Sequence, residues 1–354
     1  YSAMDITYLR HDDAGYLKIH GNKFGTDPSG IIKISNPNSS DFQINGFNDG
    51  TDFPEGTTEI ELSIINNIIS GRIFIVKIKS KLIIQGNRIG VGADNITSLG
   101  NGFLGLIMLH FCGEGLIGGN APADKNYFAN ANGSGIWEFH CGNITISRNS
   151  FFCNTQKGIE FNVWHFYHRP PPFVTINTIN STTVAGTSLP KSTVELFYDD
   201  ACPGCEGKSY IGTTIADANG NWQYNGAFSG GIVATATDTL GATSEFSTAT
   251  INTDSVIVKN ATCGRNNGYV KKARVISGTD WYWQDESNNI IGRDSDLVNL
   301  APGRYQLVAT IGGSSCNAES IWFEVKNIEA PQMDTTQINI THPTCGLNNG
   351  ALMN

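Results

Sequence analysis

Charge is scarce in this sequence: Asp, Glu, Lys and Arg together make up only 16% of its 354 residues. What charge there is runs acidic, at −9 with a pI of about 5.2. That balance argues against a nucleic-acid groove or an anionic membrane surface, since either polyanion needs a surplus of cations facing it. Long uninterrupted apolar runs are also missing, so no window has the length of a membrane-spanning helix. The sequence starts Tyr1-Ser2-Ala3 without a basic and apolar leader. Any signal peptide is therefore expected to have been removed or to lie outside this stretch. What the chain holds in quantity is glycine, 40 residues of it, beside plentiful Asn, Ser and Thr. Such a mixture is poor for helices and suits stacked or sandwiched strands. Two to four domains are expected at this length.

The first half repeats one short phrase, in which apolar side chains alternate, an Asn follows, and another apolar residue closes. It reads Leu17-Lys18-Ile19-His20-Gly21-Asn22-Lys23-Phe24, Leu62-Ser63-Ile64-Ile65-Asn66-Asn67-Ile68-Ile69, Leu82-Ile83-Ile84-Gln85-Gly86-Asn87-Arg88-Ile89 and Ile144-Thr145-Ile146-Ser147-Arg148-Asn149-Ser150-Phe151. Phe42-Gln43-Ile44-Asn45-Gly46-Phe47 is a weaker echo. Steps of 23, 22 and 20 residues separate Asn22, Asn45, Asn67 and Asn87, and 23 separate Asn126 from Asn149. A short strand returning at that interval, with Gly and Asn at the corners, is the mark of a stacked solenoid. The strands are too closely spaced for crossover helices, so each turn is predicted to be one coil of a parallel β-helix. Asn22, Asn67, Asn87 and Asn149 are then expected to form a ladder of side-chain amides. An antiparallel meander would need turn signals at closer intervals.

Polar insertions at 48–56 and 91–102 are expected to project from one face, where solenoids often bind ligands. The aromatic run Trp164-His165-Phe166-Tyr167-His168-Arg169 is expected to cover the last coil, and Pro170-Pro171-Pro172 to act as linker. Beyond it, Val174–Val184 and Thr193–Tyr198 alternate as half-buried strands. Turn signals at 218–221 and 229–231 fall at β-sandwich spacing. Farther on, Asn260-Ala261-Thr262-Cys263-Gly264-Arg265-Asn266-Asn267-Gly268 returns 82 residues later as His342-Pro343-Thr344-Cys345-Gly346-Leu347-Asn348-Asn349-Gly350. That is a tandem repeat whose second copy stops after its first strand, so the chain is expected to be part of a longer protein.

Three family resemblances follow. Gly86-Asn87-Arg88-Ile89-Gly90 and Gly21-Asn22-Lys23-Phe24-Gly25-Thr26-Asp27-Pro28-Ser29-Gly30 resemble the "GN-x-IGTD-x-TG" phrase of NosD-like right-handed parallel β-helix repeats. Leu116 through Asn126 resembles the "IGG" phrase that alternates with it. Val184-Ala185-Gly186-Thr187, Ala216-Asp217-Ala218-Asn219-Gly220-Asn221-Trp222 and Ala234-Thr235-Ala236-Thr237-Asp238 resemble a bacterial Ig-like domain. The tandem repeat, with Leu300-Ala301-Pro302-Gly303-Arg304-Tyr305, is similar to the SprB-type repeat of gliding-associated adhesins. The expected fold is all-β: a right-handed parallel β-helix over 1–169, followed by Ig-like β-sandwich domains. These are an Ig-like β-sandwich over 170–252, an SprB-type β-sandwich over 253–330, and the truncated start of a second repeat over 331–354. The resemblances imply a secreted protein of the bacterial cell surface, exported by the type IX system of a Bacteroidetes organism.

Eight cysteines in such a chain point to an oxidising compartment. Cys202 and Cys205 are expected to close a small loop disulfide, since a zinc site would need two further ligands at suitable spacing. Within the repeat, Cys263 is expected to pair with Cys316, and Cys345 to be the matching first half of the next copy. Cys112 and Cys141 are expected to stack on consecutive coils as small apolar side chains rather than as a bridge, and Cys153 has no obvious partner. If the β-helix is catalytic, His110, Glu114, Glu138, His140 and Glu160 are the candidates. Lyases on this fold use a base with a charge neutraliser, and glycosidases use paired carboxylates. No cofactor is expected, although Asp12-Asp13, Asp94 and Asp199-Asp200 could bind Ca²⁺. Trp137 and Trp164 could stack sugar rings, with packing and capping as the simpler roles. The expected function is adhesion or display, with a glycan or another cell-surface ligand and the secretion machinery as partners. Neither nucleic acid nor a transmembrane segment is expected. A polysaccharide lyase or glycoside hydrolase, or a purely structural stalk, are the alternatives.

Overall fold

The structure is a computed structural model describing residues 4–9, 15–34, 42–46, 60–78, 81–100, 103–139, 141–161, 172–199, 202, 205–311, 317–330, 336 and 338–353. The chain is all-β: the described residues hold no α-helix and a single 3₁₀ turn at Pro122–Asp124. No helix among them is long and apolar enough to cross a membrane.

Three parallel sheets make up the first part. One contains Met4–Leu9, Phe42–Gly46, Ile73–Val76, Phe103–His110, Asn132–Phe139 and Ile159–Phe161. The second contains Gly15–His20, Ile60–Ile65, Leu82–Gln85, Gly115–Gly118 and Ile144–Ser147. The third is narrow, with Lys23–Phe24, Ile68–Ile69, Arg88–Ile89, Tyr127–Ala129 and Ser150–Phe152. The chain visits the sheets in rotation, and each circuit adds one strand to each. Alternation decides what faces inward, because successive strand side chains point to opposite faces. Leu62, Leu82 and Ile144, then Ile19, Ile64, Ile84, Ile117 and Ile146, fill the interior from the second sheet. Ile69, Ile89, Phe128 and Phe151 do so from the third.

The corner between the second and third sheets explains the repeated phrase. The residue before the Asn adopts a left-handed backbone at Gly21, Asn66, Gly86 and Arg148, with φ of 70°, 58°, 68° and 51°. Glycine reaches that region without strain. At Gly86 a Cβ would also lie 2.1 Å from Asn66 Oδ1, so close stacking of corners requires its absence. Asn45 belongs elsewhere: it lies in the first sheet, paired with Val76, so the apparent 22-residue rhythm through it mixed two corners. Circuits instead vary in length, with loops inserted at the corners. Two of these loops are knit together, since Ala93 N donates to Gly30 O. The insertion at 48–56 lies outside the described residues.

The last circuit is closed by the next unit, along all three sheets. Thr243 N donates to Ile144 O and Ile146 N to Thr243 Oγ1 on the second sheet. Phe151 N donates to Gly207 O and Ser150 Oγ to Lys208 O on the third. On the first, Glu245 accepts from Phe161 N and pairs with Lys157. Phe246 meets both Phe151 and Phe197 edge-on at 5.5 Å, carrying the core across the junction. The aromatic run 164–169, expected to be the cover, lies outside the described residues.

That closing unit consists of two three-stranded antiparallel sheets. Val174–Ile179, Thr183–Ser188 and Asn221–Asn225 form one, and Ser209–Ile215, Thr193–Tyr198 and Ile232–Thr237 the other. Val184, Val194, Leu196, Trp222 and Ala234 fill the core between them. A further set of mostly antiparallel strands between Ile257 and Val325 surrounds Trp283, which is fully buried with Nε1 donating to Asp294 O. The repeated phrase folds into one turn twice. Thr262 N donates to Asn267 Oδ1 at 2.9 Å, and Thr344 N to Asn349 Oδ1 at 2.8 Å.

Candidate functional site on the first parallel sheet

The outward face of the first sheet holds three of the residues singled out in the sequence, His110, Trp137 and Glu160. In register across its strands lie Phe74, Met108, Trp137 and Glu160, and beside them Val76, His110 and Phe139. The alternate positions, Ile75, Leu109, Glu138 and Phe161, take the inward face. Outward, the rings stack on one another. Trp137 and Phe139 are parallel within 3° at 5.7 Å, and His110 lies 4.5 Å from Phe139. Phe111 meets Phe139 edge-on at 5.7 Å, with Lys77 Nζ 5.9 Å from the Phe111 ring. Arg72 Nη1 points to Met108 Sδ at 3.6 Å. At the other border the Ser134 hydroxyl donates to the Glu160 carboxylate and approaches Gln156 Oε1 at 3.4 Å. The result is a half-buried aromatic stripe edged by an imidazole, cations and a carboxylate.

The predicted catalytic set does not converge. His110 and Glu160 share the outward face but stand two strands and two residues apart, on the order of 12 Å. Glu138 is turned to the interior, and Glu114 is exposed at the corner leading into the second sheet. His140 lies outside the described residues. Paired-carboxylate chemistry needs two carboxyls across one scissile bond, and Glu138 and Glu160 face opposite sides of the sheet. Glu138 is nonetheless unusual. It takes a position that Ile44, Ile75 and Leu109 fill on preceding strands, and burial pushes its pKa up to about 8. It is held as a neutral acid within an aliphatic file, where a charge would be uncompensated.

Cys112 and Cys141 stand on consecutive circuits, with Cys112 N donating to Cys141 Sγ at 3.3 Å, and both thiols are free. Burial, then Cys112 itself, pushes the Cys141 thiol up. Other cysteine assignments change. Cys202 is bonded to Cys153, 49 positions away, a partner not expected for it, and Cys205 too is disulfide-bonded. Segment 205–208 runs along the last strand of the third sheet, which brings Cys202 within reach of Cys153. Cys263 is a free, exposed thiol in a left-handed turn, so it forms no disulfide with Cys316, which lies outside the described residues.

The corner asparagines form a continuous file. Nδ2 of Asn22 donates to Oδ1 of Asn67 at 3.2 Å; Asn67 donates likewise to Asn87, Asn87 to Asn126 and Asn126 to Asn149, each at 2.9 Å. Each backbone N–H in the series joins the same oxygen. Asn126, absent from the expected file, is its fourth member. The turn at Pro122–Asp124 sits just before it and hides the phrase. Sequence reasoning also missed Glu195 and Glu206, two buried carboxylates of the closing unit. Glu206 Oε1 accepts from Asn154 N, and Glu195 accepts from Ser147 Oγ and Arg148 N. No local signal marks them, because their partners lie some 50 residues earlier in sequence.

Of the expected Ca²⁺ carboxylates, Asp94 is engaged by its own loop. It accepts from Ile96 N, Thr97 N and the Thr97 hydroxyl, which together hold its pKa down to about 2. Asp199 follows the strand Thr193–Tyr198, and Asp12, Asp13 and Asp200 lie outside the described residues. Among the described residues, no three His, Cys, Asp or Glu side chains gather as a metal site. Trp164 lies outside the described residues.

No family model and no curated protein matches this chain. Among solved structures it is similar to the BSP domain of a biofilm associated protein, at 16% identity and a TM-score of 0.18. That match covers 46% of this chain and only 30% of the other. It is also similar to the central fibronectin-III array of RIM-binding protein, with 11% identity, TM-score 0.17, and coverage of 50% and 76%. A third likeness is to the N-terminal four Ig domains of Dscam1, with 13% identity, TM-score 0.17, and coverage of 51% and 49%. At such TM-scores the chain paths as wholes do not superimpose.

Proposed function

We propose that this chain belongs to a bacterial cell-surface adhesin. In this reading the first 169 residues wind as a right-handed parallel β-helix of the NosD-like class, and the Ig-like and SprB-type units hold it away from the cell. The β-helix flank binds a glycan or a similar surface ligand. One observation carries the reading: the half-buried stripe of Trp137, Phe139 and His110, edged by Glu160, on a face stiffened by stacked strands. Aromatic rings offer apolar area to the C–H faces of sugars, while neighbouring carboxylate and imidazole groups accept or donate to hydroxyls. Support for the extracellular setting comes from the Cys153–Cys202 disulfide, a bond that persists in oxidising surroundings.

A glycan array probed with the intact chain and with Trp137→Ala tests this. Binding that the substitution weakens at least tenfold supports the reading. Equal binding by both proteins would remove the stripe from the function. Release of unsaturated products or new reducing ends from any polysaccharide would turn the assignment to the lyase or hydrolase alternative.

A further inference from the structure

Two free thiols meet where the first sheet turns toward the second. Cys112 and Cys141 each stand two residues past a strand end that carries a ring of the stripe, His110 and Phe139 respectively. The rungs around them are intact: Phe111 N donates to Phe139 O at 3.0 Å and Gly142 N to Cys112 O at 2.8 Å. Backbones laddered in this way lie about 4.8 Å apart, inside the range of roughly 4.4–6.8 Å over which disulfides form. Cys153 and Cys202 are bonded across a Cα separation of 4.8 Å in this same chain. On the preceding circuit Ile78 holds the place of Cys112, so packing there is met by an aliphatic side chain and does not call for sulfur.

Cys141 Sγ leans over the neighbouring circuit, 3.3 Å from Cys112 N. As thiols the pair makes only weak contacts, Cys112 Sγ with Ile75 O at 3.6 Å and Cys141 Sγ with Phe139 O at 3.7 Å, so little is lost when both protons leave. Cys112 is buried while Cys141 is half-buried, so a co-reactant reaches Cys141 first. We propose that Cys112 and Cys141 are a dithiol–disulfide couple, closed by exchange with an external disulfide, that locks together the two circuits carrying His110 and Phe139. In the first step Cys141 gives up its proton and attacks one sulfur of that disulfide; its S–S bond breaks, and the departing thiolate takes the proton. In the second step Cys112 loses its proton and attacks Cys141 Sγ, and the other half of the reagent leaves as a thiol. The two cysteines are thereby oxidised by two electrons and the external disulfide is reduced to two thiols. Oxidising surroundings of the kind that preserve Cys153–Cys202 supply such a reagent. Burial keeps Cys141 protonated, which makes the exchange slow.

The test incubates the folded full chain overnight with oxidised glutathione, with Cys263→Ser and Cys345→Ser silencing its exposed free thiols. Remaining thiols are alkylated after unfolding, and tryptic peptides are read by mass spectrometry without reduction. Cleavage after Arg88, Lys125 and Arg148 puts Cys112 and Cys141 on separate peptides, 89–125 and 126–148, so the bond appears as one species joining the two. That species should exceed the glutathione adduct of Cys141 at least about tenfold, because a thiol held beside the mixed disulfide reacts within the molecule. With Cys112→Ala the glutathione should stay on Cys141, and with Cys141→Ala the buried Cys112 should remain unmodified. Circular dichroism checks folding, and the joined peptides are read without either alanine variant should one of them unfold. Recovery of both thiols alkylated after the incubation overturns the proposal. So do glutathione retained on Cys141 beside an intact Cys112, a bond from either to another cysteine, and a link that forms only in urea.

Discussion

Replacing Glu138 by glutamine isolates one buried carboxyl and makes the stability of the first part of the chain readable through pH. In the folded chain this acid releases its proton near pH 8, against an ordinary value of 4.5, because burial disfavours the carboxylate. The unfolded chain therefore ionises first. Below pH 4.5 both states are protonated and the folded chain loses nothing. Between 4.5 and about 8 the unfolded chain alone gives up the proton. Across that window stability falls by about 1.4 kcal/mol per pH unit. Glutamine keeps the shape of the neutral acid and has no proton to release. Glu138→Gln should match the unchanged chain near pH 4.5 and exceed it by about 3 kcal/mol at pH 7, approaching about 5 at pH 8. The neighbouring titratable groups are the thiols of Cys112 and Cys141, and burial pushes the latter well above its usual range, outside this window. His110 faces the other side of the sheet. Urea unfolding of both proteins at pH 5, 6, 7 and 8 reads the difference. Two stability curves that run parallel over this range would refute the placement of Glu138 as a neutral acid in the core.

Asn87→Ala removes the donor to Ile64 O and Asn126 Oδ1 and the acceptor of Asn67, all fully buried, so a loss of about 3 kcal/mol or more is expected in the same assay. Asn22→Ala, at the exposed end of the file, should cost much less. Glu195→Ala strips the acceptor from Ser147 Oγ and Arg148 N at the junction. It should cost about 3 kcal/mol, and a change below about 0.5 kcal/mol would show that the two units do not lean on it. Replacing Cys153 and Cys202 together by serine should lower stability by about 2–4 kcal/mol without altering the circular dichroism spectrum of the folded chain. A chain ended at residue 169 leaves three parallel strand edges open, and should associate in size-exclusion chromatography where a chain ended at residue 252 does not.

Much of the first part was legible because its signals are local. A left-handed corner residue (Gly, Asn or, at 148, Arg) precedes four of the five ladder asparagines, and the apolar alternation of Leu82-Ile83-Ile84 or Ile144-Thr145-Ile146 sets the inward face. Counting alone misled where another sheet offered a similar phrase. Asn45 resembles a corner Asn, yet its strand belongs to the sheet of Ile73–Val76. Asn126 escaped because the insertion before it removes the glycine-led phrase. The stripe was legible only in part. His110, Trp137 and Glu160 are conspicuous by type, whereas Phe74, Met108 and Phe139 matter through the register that stacks them. Disulfide partners were the least accessible, since Cys202 meets Cys153 only after a separate unit has docked.

Docking of that unit depends on imitation. An inner circuit satisfies its corner amides with acceptors from the next circuit: Asn126 N meets Asn149 Oδ1, Ala131 N meets Asn154 Oδ1, and Asn66 N and Gly86 N meet the carbonyls of Gln85 and Asp124. On the last circuit the same kind of donor, Asn154 N, meets Glu206 Oε1 instead, and Arg148 N meets Glu195 Oε2. A Glu side chain is one methylene longer than Asn and its carboxylate can accept with both oxygens, so the next unit can supply what a further circuit would have supplied. Thr243 and residues 205–208 continue the backbone ladders of two sheets beside these carboxylates. The strand edges are thus used up by a partner of a different architecture, which removes their capacity to template growth. It also ties the orientation of the stripe to that of the units beyond it. The stiff coupling of the stripe-bearing face to the units beyond it is a consequence of closing the stack this way, and not a separate device.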